Sequence, residues 1–250
     1  MPPGAGRPRR DSGKIRRAAG PAVTGAGPTG AGPLYDSRRG VYYAKPLLRG
    51  WLHLLFFVMS LAGDALLLAR AHGGAPVAAA AVYSASVSAL FGTSALYHRA
   101  PWTAGWRLRL RRLDQAMIYV LIAGTATPAL LLCAPPGAGL ACLIALWGLT
   151  LIAMVVRLAL GDTPEIVVGA VFVGLGGAGG VAVPWVWAHA GATSGALLLA
   201  GGLLYITGAV SYHRRWPDPY PSVLGYHEVF HFYVCAAAAC QYIAIYLLIA

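Results

Sequence analysis

The sequence predicts an all-α, polytopic membrane protein of seven transmembrane helices, on three observations. Of its 250 residues, 58% are hydrophobic and 11% charged, with mean hydropathy +0.64, whereas soluble domains carry about 25% charged residues. Seven apolar stretches, at 51–70, 77–98, 113–133, 138–158, 164–188, 194–213 and 226–249, approach the ~20 residues that cross a bilayer as a helix. The breaks between them carry turn chemistry: His72-Gly-Gly-Ala-Pro76, Pro135-Pro-Gly137, Gly161-Asp-Thr-Pro164, Gly191 and Pro217-Asp-Pro219.

Ahead of the first stretch, residues 1–40 are rich in Gly, Pro, Ala and Arg and show no apolar period. They are expected to form a disordered, basic cytoplasmic tail on a membrane domain at 41–250, without the apolar core of a signal peptide. Its cationic residues Arg7, Arg9, Arg10, Lys14, Arg16 and Arg17 either touch anionic headgroups or only set orientation. The net charge of +11 does not imply a nucleic-acid partner, because ten of the nineteen Lys and Arg residues lie in the first 49 positions. Cys133, Cys142, Cys235 and Cys240 fall inside apolar runs without CxxC spacing and read as small buried hydrophobes.

Lys and Arg alternate along the chain. The segment before the first span holds ten, the next break only Arg70, and the one after it Arg99, Arg107, Arg109, Arg111 and Arg112. The following breaks hold none, then Arg157, then none, then Arg214 and Arg215. Basic residues favour the cytoplasmic side, so the N-terminus is expected in the cytoplasm and the C-terminus outside. Seven spans satisfy that parity. Trp51, Trp102, Trp106, Trp185, Trp187 and Trp216 fall near expected interfaces, as aromatic belts do. Runs such as Gly174-Leu-Gly-Gly-Ala-Gly-Gly180 permit close helix packing, and no strand-loop-helix context makes them a phosphate loop.

Within this frame the polar residues of the spans are few. His227 and His231 open the seventh span four residues apart, so both imidazoles lie on one helix face about a turn apart. Ser94 and His98 repeat that spacing at the end of the second span. Asp114 is the only carboxylate of the third. The second span runs inward while the third and seventh start at the cytoplasm, so His98, Asp114, His227 and His231 share one membrane depth. Ionisable groups at such depth are costly and mark function by default. Three imidazoles leave one tetrahedral position open on Zn²⁺, the arrangement of catalytic rather than structural zinc, although imidazole also suits Cu, Ni or Fe. Asp114 has two readings: a group that orients a ligand and handles the proton of an attacking water, or an ion-pair partner of Arg111 or Arg112. Ser94 either hydrogen-bonds within the site or bonds back to its own helix. His53 and Asp64, in the first span, read as members of a structural network. His213 reads as interfacial, and His72 and His189 face the outer breaks.

Several of these residues stand in a familiar pattern. Ser94-Ala-Leu-Tyr-His98, Arg112-Leu-Asp114 with Ala123-Gly-Thr-Ala-Thr-Pro128, Gly201-Gly-Leu-Leu-Tyr205-Ile-Thr-Gly208 and His227-Glu-Val-Phe-His231 together resemble the bacterial hemolysin III proteins. That family belongs with the progestin and adipoQ receptors and is related to the alkaline ceramidases. The resemblance covers about residues 45–250. It implies seven helices in the bacterial plasma membrane, with zinc near the cytoplasmic face on His98, His227 and His231, beside Asp114 and Ser94. This chain departs at Gln115, where many bacterial relatives carry His.

Two functions of different class follow. One is a zinc-dependent hydrolase of a membrane lipid amide or ester, with Asp114 as general base and Ser94 assisting. The other is the pore-forming, cytolytic or receptor-like role that the family name implies. Neither an amphipathic pore segment nor a secretion signal is evident, which favours a protein resident in its producer's own membrane.

Overall fold

The computed structural model describes residues 34–36, 41–43, 45–160 and 164–249. The chain divides at Ala44 into two compact units, the second running from Lys45. The first unit contains a short antiparallel pair, β1 (Leu34–Asp36) and β2 (Val41–Tyr43), in register Leu34↔Tyr43. The rest of the segment expected to be an unordered tail, residues 1–33 and 37–40, lies outside the described residues.

The second unit is helical: α1 (Trp51–Arg70), α2 (Gly74–Arg99), α3 (Ala104–Leu132), α4 (Pro136–Ala159), α5 (Glu165–Gly180), α6 (Val183–Arg214) and α7 (Tyr226–Ile249). Six of these are long and apolar enough to cross a membrane, and α5 is a shorter apolar helix. The expected spans 51–70 and 226–249 coincide with α1 and α7. Much of the outer surface is apolar, with Leu55, Val58, Met59 and Leu61 of α1 and Ile144, Ile152 and Val155 of α4 exposed. A soluble protein does not leave such continuous faces open to water, whereas hydrocarbon covers them at no cost.

Two departures from the expected spans have physical causes. Helix α3 begins at Ala104, nine residues before the predicted third span. Hydropathy marks Arg107 to Arg112 as a loop, but Leu108, Leu110 and Leu113 interleave with arginines, and Arg is a good helix former with an apolar stem. The connection between α2 and α3 is therefore only residues 100–103.

The predicted fifth span is shared between α5 and the first turns of α6. Pro184 has no N–H for the Gly180 carbonyl. The chain tightens there, with Val181 and Ala182 still in right-handed helical geometry (φ −59°, ψ −20° and φ −75°, ψ −20°). The reversal falls at Gly191, inside α6, with φ +84° and ψ 169°, a conformation that only glycine adopts freely. A Cβ placed on Gly195 would lie 2.6 Å from the Trp187 ring and 3.2 Å from its Cα. Residues eight apart in a straight helix stand about 12 Å apart, so the chain doubles back between them. The segments before and after Gly191 thus correspond to the predicted fifth and sixth spans.

Helix α7 packs on α6, α1, α2 and α3, and α3 packs on α2, α4, α5, α6 and α7, so these two form the interior of the bundle. Tyr83, Phe91, Leu121, Val234, Cys235 and Ile245 fill one core, and Ala116, Tyr119, Ala123, Leu130, Leu146 and Val186 another. All four cysteines are free.

A candidate metal centre at one end of the bundle

Three helix termini meet the third turn of α3 at one end of the bundle. His98 lies in the last turn of α2, Asp114 three turns into α3, and His227 and His231 in the first two turns of α7. The third terminus, the start of α1, adds His53. Sequence spacing placed the first four at one depth, and the fold brings them into contact.

His98 Nε2 and His227 Nε2 face each other at 3.3 Å. One ligand atom from each of His98, His227 and His231 lies within 4.8 Å of the others, and His98 and His231 are buried. The Asp114 Oδ2 atom stands 3.8 Å from His98 Nε2. A tetrahedral zinc with nitrogens at about 2.0–2.1 Å has ligand-to-ligand edges of about 3.3–3.4 Å. The His98–His227 separation is one such edge. Three imidazoles turned nitrogen to nitrogen in an apolar interior, with a single acid beside them, fit a metal cation.

Ser94 sits one helical turn before His98. Its hydroxyl hydrogen-bonds His53 Nδ1 at 2.8 Å and also faces the Asp114 carboxylate. It is therefore tied to the site rather than only to its own helix. His53 in turn lies flat on His231, with ring centroids 3.7 Å apart and planes 9° off parallel, and meets Phe91 edge-on at 5.1 Å. Tyr212, at the end of α6, packs edge-on against His227 at 5.4 Å. Its neighbour His213 is exposed. Arg112, one of the two arginines considered for Asp114, donates to the Leu158 carbonyl at 3.4 Å. Gln115, which follows Asp114, accepts from Arg157 Nε at 2.9 Å.

Residues that spacing did not reveal build the mouth of the site. The segment 45–50 runs beside the α6–α7 connection, with Leu47 N–H donating to the Ser222 carbonyl and Leu48 N–H to the Val223 carbonyl, each at 3.1 Å. Buried Arg49 pairs with buried Glu228. Glu228 is the third residue of α7, and its other oxygen accepts the Gly225 N–H at 2.9 Å, the carboxylate half of a capping box. Asp218 accepts the Tyr226 N–H at 2.9 Å. Two of the free N–H groups at the start of α7 are thus partnered, which helps fix the direction in which His227 and His231 project.

Gly50 then turns the chain into α1 at φ +81°, and a Cβ on it would meet His98 Cβ at 2.6 Å. Lys45 Nζ donates to the His98 carbonyl. Burial, and after it the charges of Arg99, Arg107 and Arg49, hold the Lys45 ammonium below its ordinary pKa. Arg99 covers the Trp51 ring at 3.9 Å. The mouth is consequently electropositive.

Beside it, an apolar groove of about 760 Å³ runs between α1 and α7, lined by Leu48, Trp51, Leu52, Leu55, Val229 and Phe232. Glu228 and His231 reach its inner wall.

The stretch of chain that carries these histidines has a counterpart among known proteins. A family model described as Haemolysin-III related matches residues 41–242. The chain belongs to that family. This haemolysin-III-related protein is therefore a multi-pass integral membrane protein, and its buried histidine cluster lies within the matched region.

Proposed function

We propose that the protein is a zinc-dependent hydrolase of a membrane lipid amide or ester, resident in the bacterial plasma membrane with its metal centre toward the cytoplasm. The observation that carries this reading is the convergence of His98, His227 and His231 with Asp114 and Ser94 beside them. The three histidines hold the metal, and bound zinc supplies Lewis acidity toward a carbonyl oxygen. Asp114 Oδ2 takes the proton of the attacking water. Ser94, held by His53, positions that carboxylate. The α1–α7 groove accepts an acyl chain from the bilayer and delivers it to the wall that contains His231. The strap at 45–50, tied to α7 by Arg49 and Glu228, forms one end of that groove through Leu48. The electropositive mouth favours an anionic headgroup or a released carboxylate.

The test is hydrolysis of N-acyl and O-acyl lipids by purified protein in nanodiscs, run beside dye leakage from vesicles. Metal-dependent hydrolysis with no leakage supports the proposal. Leakage that survives chelation, without hydrolysis of any acyl lipid, overturns it.

A further inference from the structure

A second polar cluster lies deeper in the bundle, about 16 Å further along α1 than His53. Asp64 is the carboxylate of α1. Ser88 of α2 donates to its Oδ2 at 2.5 Å, and Ser60 shares a hydrogen bond with Ser88 at 2.9 Å. Ser84, one turn before Ser88, lies beside the same carboxyl. The Tyr83 and Tyr242 rings are 6.4 Å apart and both are electrostatic neighbours of Asp64. Tyr242 donates to the Gly63 carbonyl at 2.7 Å.

Oxygens are left over in this cluster. Asp64 Oδ1, Ser84 Oγ and the Tyr83 hydroxyl are all buried, and apart from the approach of Ser84 to the Asp64 carboxyl none has a hydrogen-bond partner. Tyr83 is 1% exposed and Ser84 5%. Native interiors leave few such atoms unpaired, and a group of them in one place marks a missing ion or water. Among the described residues, no Lys, Arg or His pairs with Asp64. A carboxylate within a membrane span needs a counter-charge or a bound proton. The side-chain atoms around Asp64 are all oxygens, which select a hard cation, and the single formal charge balances a monovalent one.

We propose that Asp64, Ser84, Ser88 and Tyr83 form a sodium-binding site inside the bundle, separate from the histidine cluster. Sodium there locks α1 to α2, the helices that also carry His53 and His98.

The experiment uses the full chain, zinc-loaded, in nanodiscs, with thermal unfolding followed as NaCl replaces choline chloride at constant chloride. Tm is expected to rise by about 3–6 °C once sodium exceeds its dissociation constant tenfold. Asp64→Asn should abolish the rise and Ser88→Ala should weaken it, with zinc content unchanged in both. Equal Tm in sodium and choline overturns the site, as does a sodium response that persists in Asp64→Asn. If Asp64→Asn does not fold, Ser84→Ala and Ser88→Ala decide, and an unaltered response in both overturns it. A rise that follows acidification in choline, with no sodium effect, marks a protonated carboxyl instead and likewise overturns it.

Discussion

His53 lies flat against His231, with ring centroids 3.7 Å apart, while its Nδ1 meets the Ser94 hydroxyl at 2.8 Å. One residue of α1 thus braces both a candidate metal ligand and the serine beside the candidate base. His53→Phe keeps an aromatic ring against His231 and removes the bond to Ser94. Partners of this kind typically contribute 10–100-fold to metal affinity or activity. The variant is expected to fold with an unchanged Tm within a few degrees and to lose about that factor in zinc affinity or turnover. Both values at wild-type level would make His53 only a packing residue.

The metal itself is checked by elemental analysis. Purified protein should carry about one zinc per chain. Ala at His98, His227 or His231 should remove most of it, because the site would drop below the three protein ligands usual for zinc. Full zinc in a His227→Ala, His231→Ala double variant would rule out this centre.

The Arg49–Glu228 pair joins the strap to the start of α7 in a buried setting, with side chains 8% and 4% exposed. Removing one partner of a buried pair leaves the other charge uncompensated and costs about 3–5 kcal/mol. Arg49→Met should therefore lower Tm strongly. The double variant Arg49→Met, Glu228→Gln should recover part of that loss, since no lone charge remains. Thermal melts of the two singles and the double, read as a cycle, measure the coupling. Additive losses would mean that the charges do not interact.

Orientation is open to a simple check. The ten Lys and Arg residues before α1, against Arg70 alone in the next break, predict an N-terminus inside and a C-terminus outside. Compartment reporters fused at residue 20 and residue 250 should give opposite answers. The same answer at both ends would require an even number of crossings, against the reversal at Gly191.

The legible and illegible parts of the site differ in their physics. His98, His227 and His231 were readable because a period of four places pairs on one face, and charge alternation then fixes which ends of which helices meet. Helices α1 and α7 were readable from their apolar runs. The start of α3 was not, because arginines with apolar stems extend a helix beyond the hydrocarbon, where hydropathy sees a loop. Lys45 and Arg49 gave no signal, because a strap joined by two backbone bonds to Ser222 and Val223 has no period, and Glu228 gave none because its partner Arg49 lies on that strap. His53 did carry one: the third residue of the first span falls at the depth of the other histidines once orientation is assigned.

Asp114 separates hydrolase from pore. Its Oδ2 atom is 3.8 Å from His98 Nε2, on a helix that packs directly against α2, and Ser94 faces it from that helix. Asp114→Asn preserves the shape and the contact with Ser94 but cannot accept a proton near neutral pH. The variant should keep its zinc and its Tm within a few degrees while losing about 10²–10⁴-fold in turnover, the usual weight of a general base. A structural carboxylate behaves in the opposite way, with Tm falling and the rate per folded molecule holding. Dye leakage by a pore would be indifferent to both the substitution and chelation. Zinc content, Tm, hydrolysis and leakage on one set of preparations therefore distinguish the three cases. Hydrolysis at the wild-type rate in Asp114→Asn would end the general-base role even if the metal remains.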